Sequence, residues 1–382
     1  MAGGGPAGAA AALTLAHSGA EVVLVHPDAP PGWRVGESLA PSARPLLERL
    51  GVLDRVGTDG HLPYYGNRSA WGRATLTASD FVRSPYGPGW HLDRRRFDAS
   101  LRAAARDAGV RHRPGSVTHL TRAGNHWRAT VSGAEITAPY VVDATGARAR
   151  LARRTGARLV HTDHLVAVTA LLPNTGQGGG GSATHENATE HTSLIESTPF
   201  GWWYTAPLPS GQLVVMAVTD ADLVREAGLR TPDGWWAALG RSRHIGARLP
   251  ARTRPPERLA VLRAGTSRTL PAAGPGWVAV GDAATATDPV AARGITSALS
   301  TGMAAADALT ANARGDDEAI RRYAGQVTEV HTEFLHARAA CYRTERRWDT
   351  PFWLRRRRPP SGPDEPHRRG TAPGPRPAAD GG

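Results

Sequence analysis

Apolar positions come in short runs separated by glycine and proline, and their spacing alternates between helical and strand-like. Ala9–Ser18 (AAAALTLAHS) is made of small residues and stops at Gly19, which predicts a helix packed closely on a sheet and capped by glycine. Within Glu21–Val25 the unbroken run VVLV predicts a strand of a parallel sheet covered on both faces. Pro41–Leu50 and Arg96–Ala108 predict helices ended by Gly51 and Gly109; in the second, Phe97, Leu101, Ala104 and Ala105 fall at helical spacing. Residues 61–90, with Tyr64, Tyr65, Trp71 and Trp90, read as loops and short strands. Val117–Val142 alternates apolar and polar residues and predicts a β-meander running into the strand before Asp143.

Further on, Val166–Leu171 and Leu213–Val218 predict strands of a second sheet. Gly176–Ser182 reads as a hairpin tip or interstrand loop between them. Pro232–Leu239 predicts a short helix, with one more to about Leu249. Trp277–Val280 is a strand, and Ile295–Thr310 and Asp317–Arg347 are long helices. The fold class expected is α/β. It comprises a Rossmann-like nucleotide-binding domain lacking its first strand, an inserted β-rich substrate domain, and C-terminal helices. The expected division is 1–158 and 264–348 for the nucleotide domain, 159–263 for the insert, and 349–382 for a disordered Arg/Pro/Gly-rich tail.

Three glycine-centred segments carry the candidate chemistry. In Gly3-Gly4-Gly5-Pro6-Ala7-Gly8, residues Gly3, Gly5 and Gly8 let a backbone approach a pyrophosphate at a helix N-terminus, with Pro6 and Ala7 opening the helix. Such a loop normally follows a buried strand, yet only Met1 and Ala2 precede it. The expected reason is a start codon placed too late; the alternative is a sheet without that strand. Asp143-Ala144-Thr145-Gly146 is the second segment, with Asp143 and Gly146 as cofactor candidates. Gly281-Asp282 is the third, followed by Asp288-Pro289 and by Gly294-Ile295 at a helix start. Asp282 suits ribityl hydroxyls; Pro289, Gly294 and Ile295 suit the edge of a flavin ring that is anionic when reduced. In this order the segments point to FAD. An acidic residue is expected at the end of the second strand for the ribose. That position holds His26, so either His26 or Asp28 takes the role.

Composition narrows this picture. None of the 382 residues is lysine and 46 are arginine, so no step requiring a lysine amine can occur here. The formal charge of +12 invites a nucleic-acid reading, but the arginines are scattered, and no nucleic-acid partner is expected. No run of 18 apolar residues exists, so no membrane span is expected. Cys341 is the single cysteine, which suits a reducing, cytoplasmic setting. No metal site is expected.

The segments GGGPAG, VGESL (35–39), LDRRRFDASL (92–101), DATG, GWWYTAPLP (201–209), WVAVGDAATATDP (277–289) and the RW…PFW…R ending together resemble the FAD-dependent monooxygenases and flavin-dependent halogenases, on the halogenase-like side. The resemblance runs over the whole chain up to the tail. It implies an FAD fold of the p-hydroxybenzoate hydroxylase type. It also implies contacts from Arg34 and Arg94 to the FAD phosphates or ribose, and places Glu37 and Ser38 near the isoalloxazine. Two departures bear on the reaction. Flavin halogenases use an active-site lysine, absent here. Their Gly-Trp-x-Trp-x-Ile-Pro signature reads Gly201-Trp202-Trp203-Tyr204-Thr205-Ala206-Pro207.

The resemblance therefore implies an enzyme, and first a monooxygenase hydroxylating an aromatic or tryptophan-like substrate through a flavin C4a-hydroperoxide. Glu37, Trp202, Tyr204 and His91 are the candidate catalytic residues, with Glu196 a further proton-transfer candidate. Trp202 and Trp203 are candidate aromatic walls. The electron donor is NAD(P)H or a partner flavin reductase. The alternatives are a maturase acting on a tryptophan of a partner protein, a halogenase, a flavin-dependent reductase, and a non-catalytic flavin-binding protein.

Overall fold

The computed structural model describes residues 1–27, 33–174 and 191–357. Asp28, the Gly176–Ser182 loop and residues 358–382 lie outside these residues. Helix α1 (Pro6–His17) starts with proline in its first turn and is almost wholly alanine, glycine and leucine on its buried surface. It leads to β1 (Val23–His26), which pairs in parallel with β7 (Arg111–Pro114). On the other side, β11 (Val141–Asp143) runs parallel to β20 (Trp277–Ala279), and β19 (Ala273–Gly274) adds antiparallel to β20.

Ala2 bridges the two halves: it pairs in parallel with both Val25 and Asp143. Its N–H donates to Val142 O at 3.0 Å, and the Ala144 N–H donates to Ala2 O at 2.8 Å. The strand expected to be missing is thus represented by Met1 and Ala2, which close the sheet just below the glycine loop.

The meander is present as β8 (Val117–Ala123), β9 (His126–Val131) and β10 (Ala134–Ala138). Between β1 and β7 lie β2 (Ser38–Leu39), α2 (Arg44–Arg49), α3 (Leu53–Thr58), β3 (Leu62–Tyr64), β6 (Gly89–His91) and α4 (Arg94–Asp107). β2 and β3 flank β6 in a small antiparallel sheet.

The large sheet has seven strands, in the order β17-β13-β16-β15-β14-β4-β5. These are β17 (Ala260–Arg263), β13 (Leu165–Pro173), β16 (Gln212–Asp220), β15 (Gly201–Leu208), β14 (Thr192–Thr198), β4 (Gly66–Ala70) and β5 (Thr77–Asp80). It takes in β4 and β5 from the first segment of the chain as well as the strands expected over 159–263, with β4 parallel to β14. A third antiparallel set is β12 (Arg158–His161), β18 (Ser267–Leu270) and β21 (Thr285–Ala286).

Alternation along β15 assigns its two faces. Trp203 packs with Trp235 and Leu239 of α5 (Pro232–Gly240) and Ile245 of α6 (His244–Arg248). Trp202 and Ala206 pack on the opposite face with Met216, Tyr342, Phe352 and Trp353. The last described residues form α7 (Gly294–Ala313), α8 (Ala319–Thr344) and α9 (Pro351–Arg357). The last corrects the expected tail over 349–382. Pro351–Arg357 is a helix, Phe352 and Trp353 are buried against the large sheet, and the Arg356 guanidinium is buried on Asp220. Among the described residues no helix is long and apolar enough to cross a membrane.

Candidate active site

A cavity of about 330 Å³ lies between the parallel sheet and the Trp202 face of the large sheet. The start of α1 contributes Gly5, Pro6 and Ala7; the loop into β2 contributes Gly36, Glu37 and Ser38; α4 contributes Arg94. Gly146, Asp282, Pro289, Gly294 and Ile295 line it from the parallel-sheet side, and Trp202 and Tyr204 from the other. Met216, Ala167 and Arg263 also line it and were not singled out in the sequence. The phase of alternation along β13 and β16 was the signal that would have found the first two.

The glycine loop works through close contact and open space together. Gly3 has φ +114°, and a Cβ there would stand 2.0 Å from Ala144 O; one on Gly8 would stand 1.9 Å from Gly3 O. Neither residue lines the cavity; both let the turn fold onto the sheet. Gly5 does line it, and a Cβ there would meet nothing within 4 Å. Gly281, at φ +56°, lets its turn approach Ala7, whose Cβ would be 2.7 Å from an added Cβ. Helices α1 and α7 both begin at this cavity without a side-chain cap or an acidic residue in the first turn. Their leading N–H groups are therefore available to an anionic ligand.

The residues fit a bound FAD. The α1 start would hold the pyrophosphate, Asp282 the ribityl hydroxyls and the α7 start the pyrimidine edge. The Asp282 side chain opens onto the cavity; desolvation pushes its carboxyl above the usual range, and Arg94 opposes this. Glu37 is buried, and its Oε2 has no hydrogen-bond partner among the described residues. Burial pushes its carboxyl up to about 7 against the pull of backbone N–H groups and of Arg94. A buried orphan acceptor beside an open cavity is what a missing ligand would leave behind.

Several expected contacts fall elsewhere. Asp143 does not reach the cavity. Its Oδ1 accepts from the Thr145 N–H (2.9 Å) and hydroxyl (2.6 Å), and its Oδ2 from the N–H groups of Leu151 and Ala152 (both 2.8 Å), so it staples its own turn. His26 packs beside Gly4, edge-on to His112 at 5.4 Å, away from the cavity. Arg34 pairs with Asp98 at 3.1 Å and is not in the cavity wall. Arg94 is in the wall, and also pairs with Asp98 (3.1 Å) and holds Val35 O at 2.5 Å. Trp203 is core, on the far face of the sheet. The Glu196 carboxylate accepts the N–H groups of Arg243, His244 and Ile245 at 2.7–2.9 Å, capping α6.

His91 is fully buried behind the wall, and burial pushes its imidazole down to about 3, so it is neutral. It touches Ser38 through Nδ1 (3.2 Å), and Ser38 touches the Tyr204 hydroxyl (2.8 Å). Burial and the neighbouring Glu37 push the Tyr204 phenol well above its ordinary range. Also on β15, the Trp202 indole N–H donates to the Tyr342 hydroxyl (3.1 Å), which donates to Asp288 Oδ2 (2.9 Å). Asp288 also takes the Arg338 Nε–H (2.8 Å), so Trp202 is held by a buried chain that reaches α8.

A parallel sheet with a glycine loop at one helix start, and Asp282 opening onto the adjoining cavity, suits a flavin-dependent oxidoreductase, an enzyme class. The chain belongs to the tryptophan halogenase family, which matches residues 1–58 and 67–370. It is 29% identical over 363 residues to the protein named FAD-dependent oxidoreductase LodB of Marinomonas mediterranea, covering 93% of this chain and 95% of that one. The solved structure of CmlS, a flavin-dependent halogenase, superposes with a TM-score of 0.80 at 24% identity, over 94% of this chain and 67% of that one. The peptidyl tryptophan dihydroxylase QhpG gives a TM-score of 0.73 at 24% identity, over 95% of this chain and 78% of that one.

Proposed function

We propose that this protein is an FAD-dependent monooxygenase that hydroxylates an aromatic, tryptophan-like substrate. One observation carries the choice against halogenation: the chain contains no lysine, and the basic residues lining the cavity are arginines. An arginine stays protonated and cannot stand in for an amine that takes up an activated halogen.

When bound, FAD supplies the reduction of O2 and the oxygen transfer. The chain's own residues orient and exclude. Trp202, anchored through Tyr342, and Met216 keep water from the reacting face. Burial raises the Glu37 carboxyl to about 7, so near that pH it can give or take a proton within the cavity. The uncapped starts of α1 and α7 would stabilise the negative charge of a bound flavin's phosphates and ring. Electrons come from NAD(P)H directly or from a partner flavin reductase.

A second form of this reading has the indole on a tryptophan of a partner protein. The likeness to QhpG, at the level of the fold, motivates it.

The test is mass spectrometry of turnovers under 18O2 with reductant and bromide, offering free tryptophan, N-acetyltryptophanamide and tryptophan-containing peptides. One labelled oxygen and no bromine in the product is the expected result. A brominated product, or a reduced product that forms without O2 and carries no added oxygen, would replace this proposal with a halogenase or a reductase.

A further inference from the structure

The hydrogens in the chain Tyr204–Ser38–His91 can be placed by elimination. His91 Nε2 lies 3.2 Å from the backbone carbonyl of His191, which can only accept, so Nε2 carries the hydrogen. The buried imidazole is neutral, so Nδ1 carries none and must accept. Ser38 lies 3.2 Å from that nitrogen and gives it its single hydroxyl hydrogen. The Ser38 oxygen therefore accepts, and its partner at 2.8 Å, the Tyr204 hydroxyl, donates. Tyr204 has no second hydrogen. Ser38 is the side chain that hydrogen-bonds the phenol; Glu37, Tyr64 and Arg248 act on it only through their charge, and Glu37 Oε2 has no hydrogen-bond partner among the described residues.

We infer that Tyr204 turns only acceptor lone pairs toward the cavity, and so selects a ligand that brings an N–H or O–H donor to it. This rests on reading the cavity as the flavin and substrate site, and it adds a specificity-determining residue to that reading. Two ligands bring such a donor: an aromatic substrate with a ring N–H or phenolic O–H, and the flavin through its imide N–H. A rejected ligand would leave the phenol oxygen, or its own acceptor, unpaired in a dry site.

The test is a pair of binding comparisons, independent of turnover. The substrate arm titrates flavin-loaded protein with N-acetyltryptophanamide and with its benzofuran analogue, in which oxygen replaces the ring N–H. The flavin arm titrates flavin-free protein with FAD and with FAD methylated at the imide nitrogen. In at least one arm the N–H ligand should bind about tenfold more tightly. Tyr204→Phe should bring that ratio to within about twofold, as the N–H ligand loses its acceptor and the other ligand no longer leaves a phenol oxygen unpaired. Ser38→Ala frees the phenol hydrogen to turn inward, so the benzofuran or methylated ligand should gain relative to the N–H form. A residue that merely filled space would show neither change.

Equal binding of both forms in both arms, or full discrimination retained by Tyr204→Phe, would overturn the inference. Failure of the oxygenase reading looks different: no oxygenated product, with these binding preferences intact.

Discussion

Gly302, inside α7, lies against the first turn of α1 so closely that a Cβ on it would stand 2.3 Å from the Ala7 carbonyl oxygen. That contact joins the two helices whose N-termini open on the cavity, so their spacing fixes the distance between the candidate phosphate and ring sites. Gly302→Ala must push the helices apart and should cost about 1–3 kcal/mol. The melting temperature should fall by several degrees, and FAD affinity should fall with it. Gly325→Ala in α8, where an added Cβ meets nothing within 4 Å, is the matched control and should be neutral or slightly stabilising. Equal melting curves for the two variants would show that this packing does not set the helix spacing.

Asp282 and Asp143 should separate cleanly. Asp282 faces the cavity, so Asp282→Ala should lose flavin on purification while the flavin-free melting temperature stays near wild type. Asp143 accepts four hydrogen bonds from its own turn, so Asp143→Ala strands several buried donors and should cost about 3 kcal/mol or more with or without flavin. Absorbance at the flavin band and thermal melts read the two effects independently. Full flavin content in Asp282→Ala would remove the proposed ribityl contact.

These two aspartates mark how far the sequence could be read. Local signals were legible: the glycine loop, the helix stop at Gly19, the meander over Val117–Val142 and the helix start at Gly294 depend on residues near one another. The α/β class and the candidate flavin site follow from them. Roles decided by how the chain folds back on itself were not legible. Asp143 is consumed by Leu151 and Ala152, Glu196 by α6, and Arg34 by Asp98. Trp203 and Trp202 are adjacent in sequence, yet strand alternation sends one to the core and one to the cavity. The basic ending reads as a solvated tail until Asp220 is placed beside it.

Glu37 gives a pH dependence with a definite sign. Its carboxyl is raised in the folded chain to about 7, against 4.5 when unfolded. The folded state therefore holds the proton more tightly. The stability this provides is complete below about 4.5 and is lost as pH rises through about 7. The span corresponds to roughly 3 kcal/mol. Glu37→Gln cannot titrate, so the stability of wild type minus Glu37→Gln, measured without flavin, should fall over that window. Taking the difference removes the buried His91 and His331, which are held down to about 3 and about 4 and act in the opposite direction. A flat difference between pH 4.5 and 7.5 would mean that Glu37 is solvated and charged.

Arg356 and Asp220 make the last test, because they hold the C-terminal helix to the wall that carries Trp202. The guanidinium reaches both carboxylate oxygens, at 2.6 and 3.0 Å, and lies 3.8 Å over the Phe352 ring. Both side chains of the pair are nearly sealed from water, whereas the neighbouring Arg355, on the same carboxylate, is half-exposed. Removing one member of a buried pair leaves an unpaired charge, which typically costs 3–5 kcal/mol. Arg356→Met should fall toward the lower end, because Arg355 still neutralises Asp220. Asp220→Leu strands the Arg356 guanidinium against aromatic rings and should be worse. Arg355→Met should cost under about 1 kcal/mol, since its charge is screened by water. The double variant Asp220→Leu with Arg356→Met removes both charges and should recover much of the loss of either single change. In the damaging variants α9 should come away first, seen as cleavage by protease near Thr350 and a red shift of Trp353 emission before global unfolding. If Arg355→Met proved as harmful as Arg356→Met, the burial of Arg356 would not be what anchors this helix.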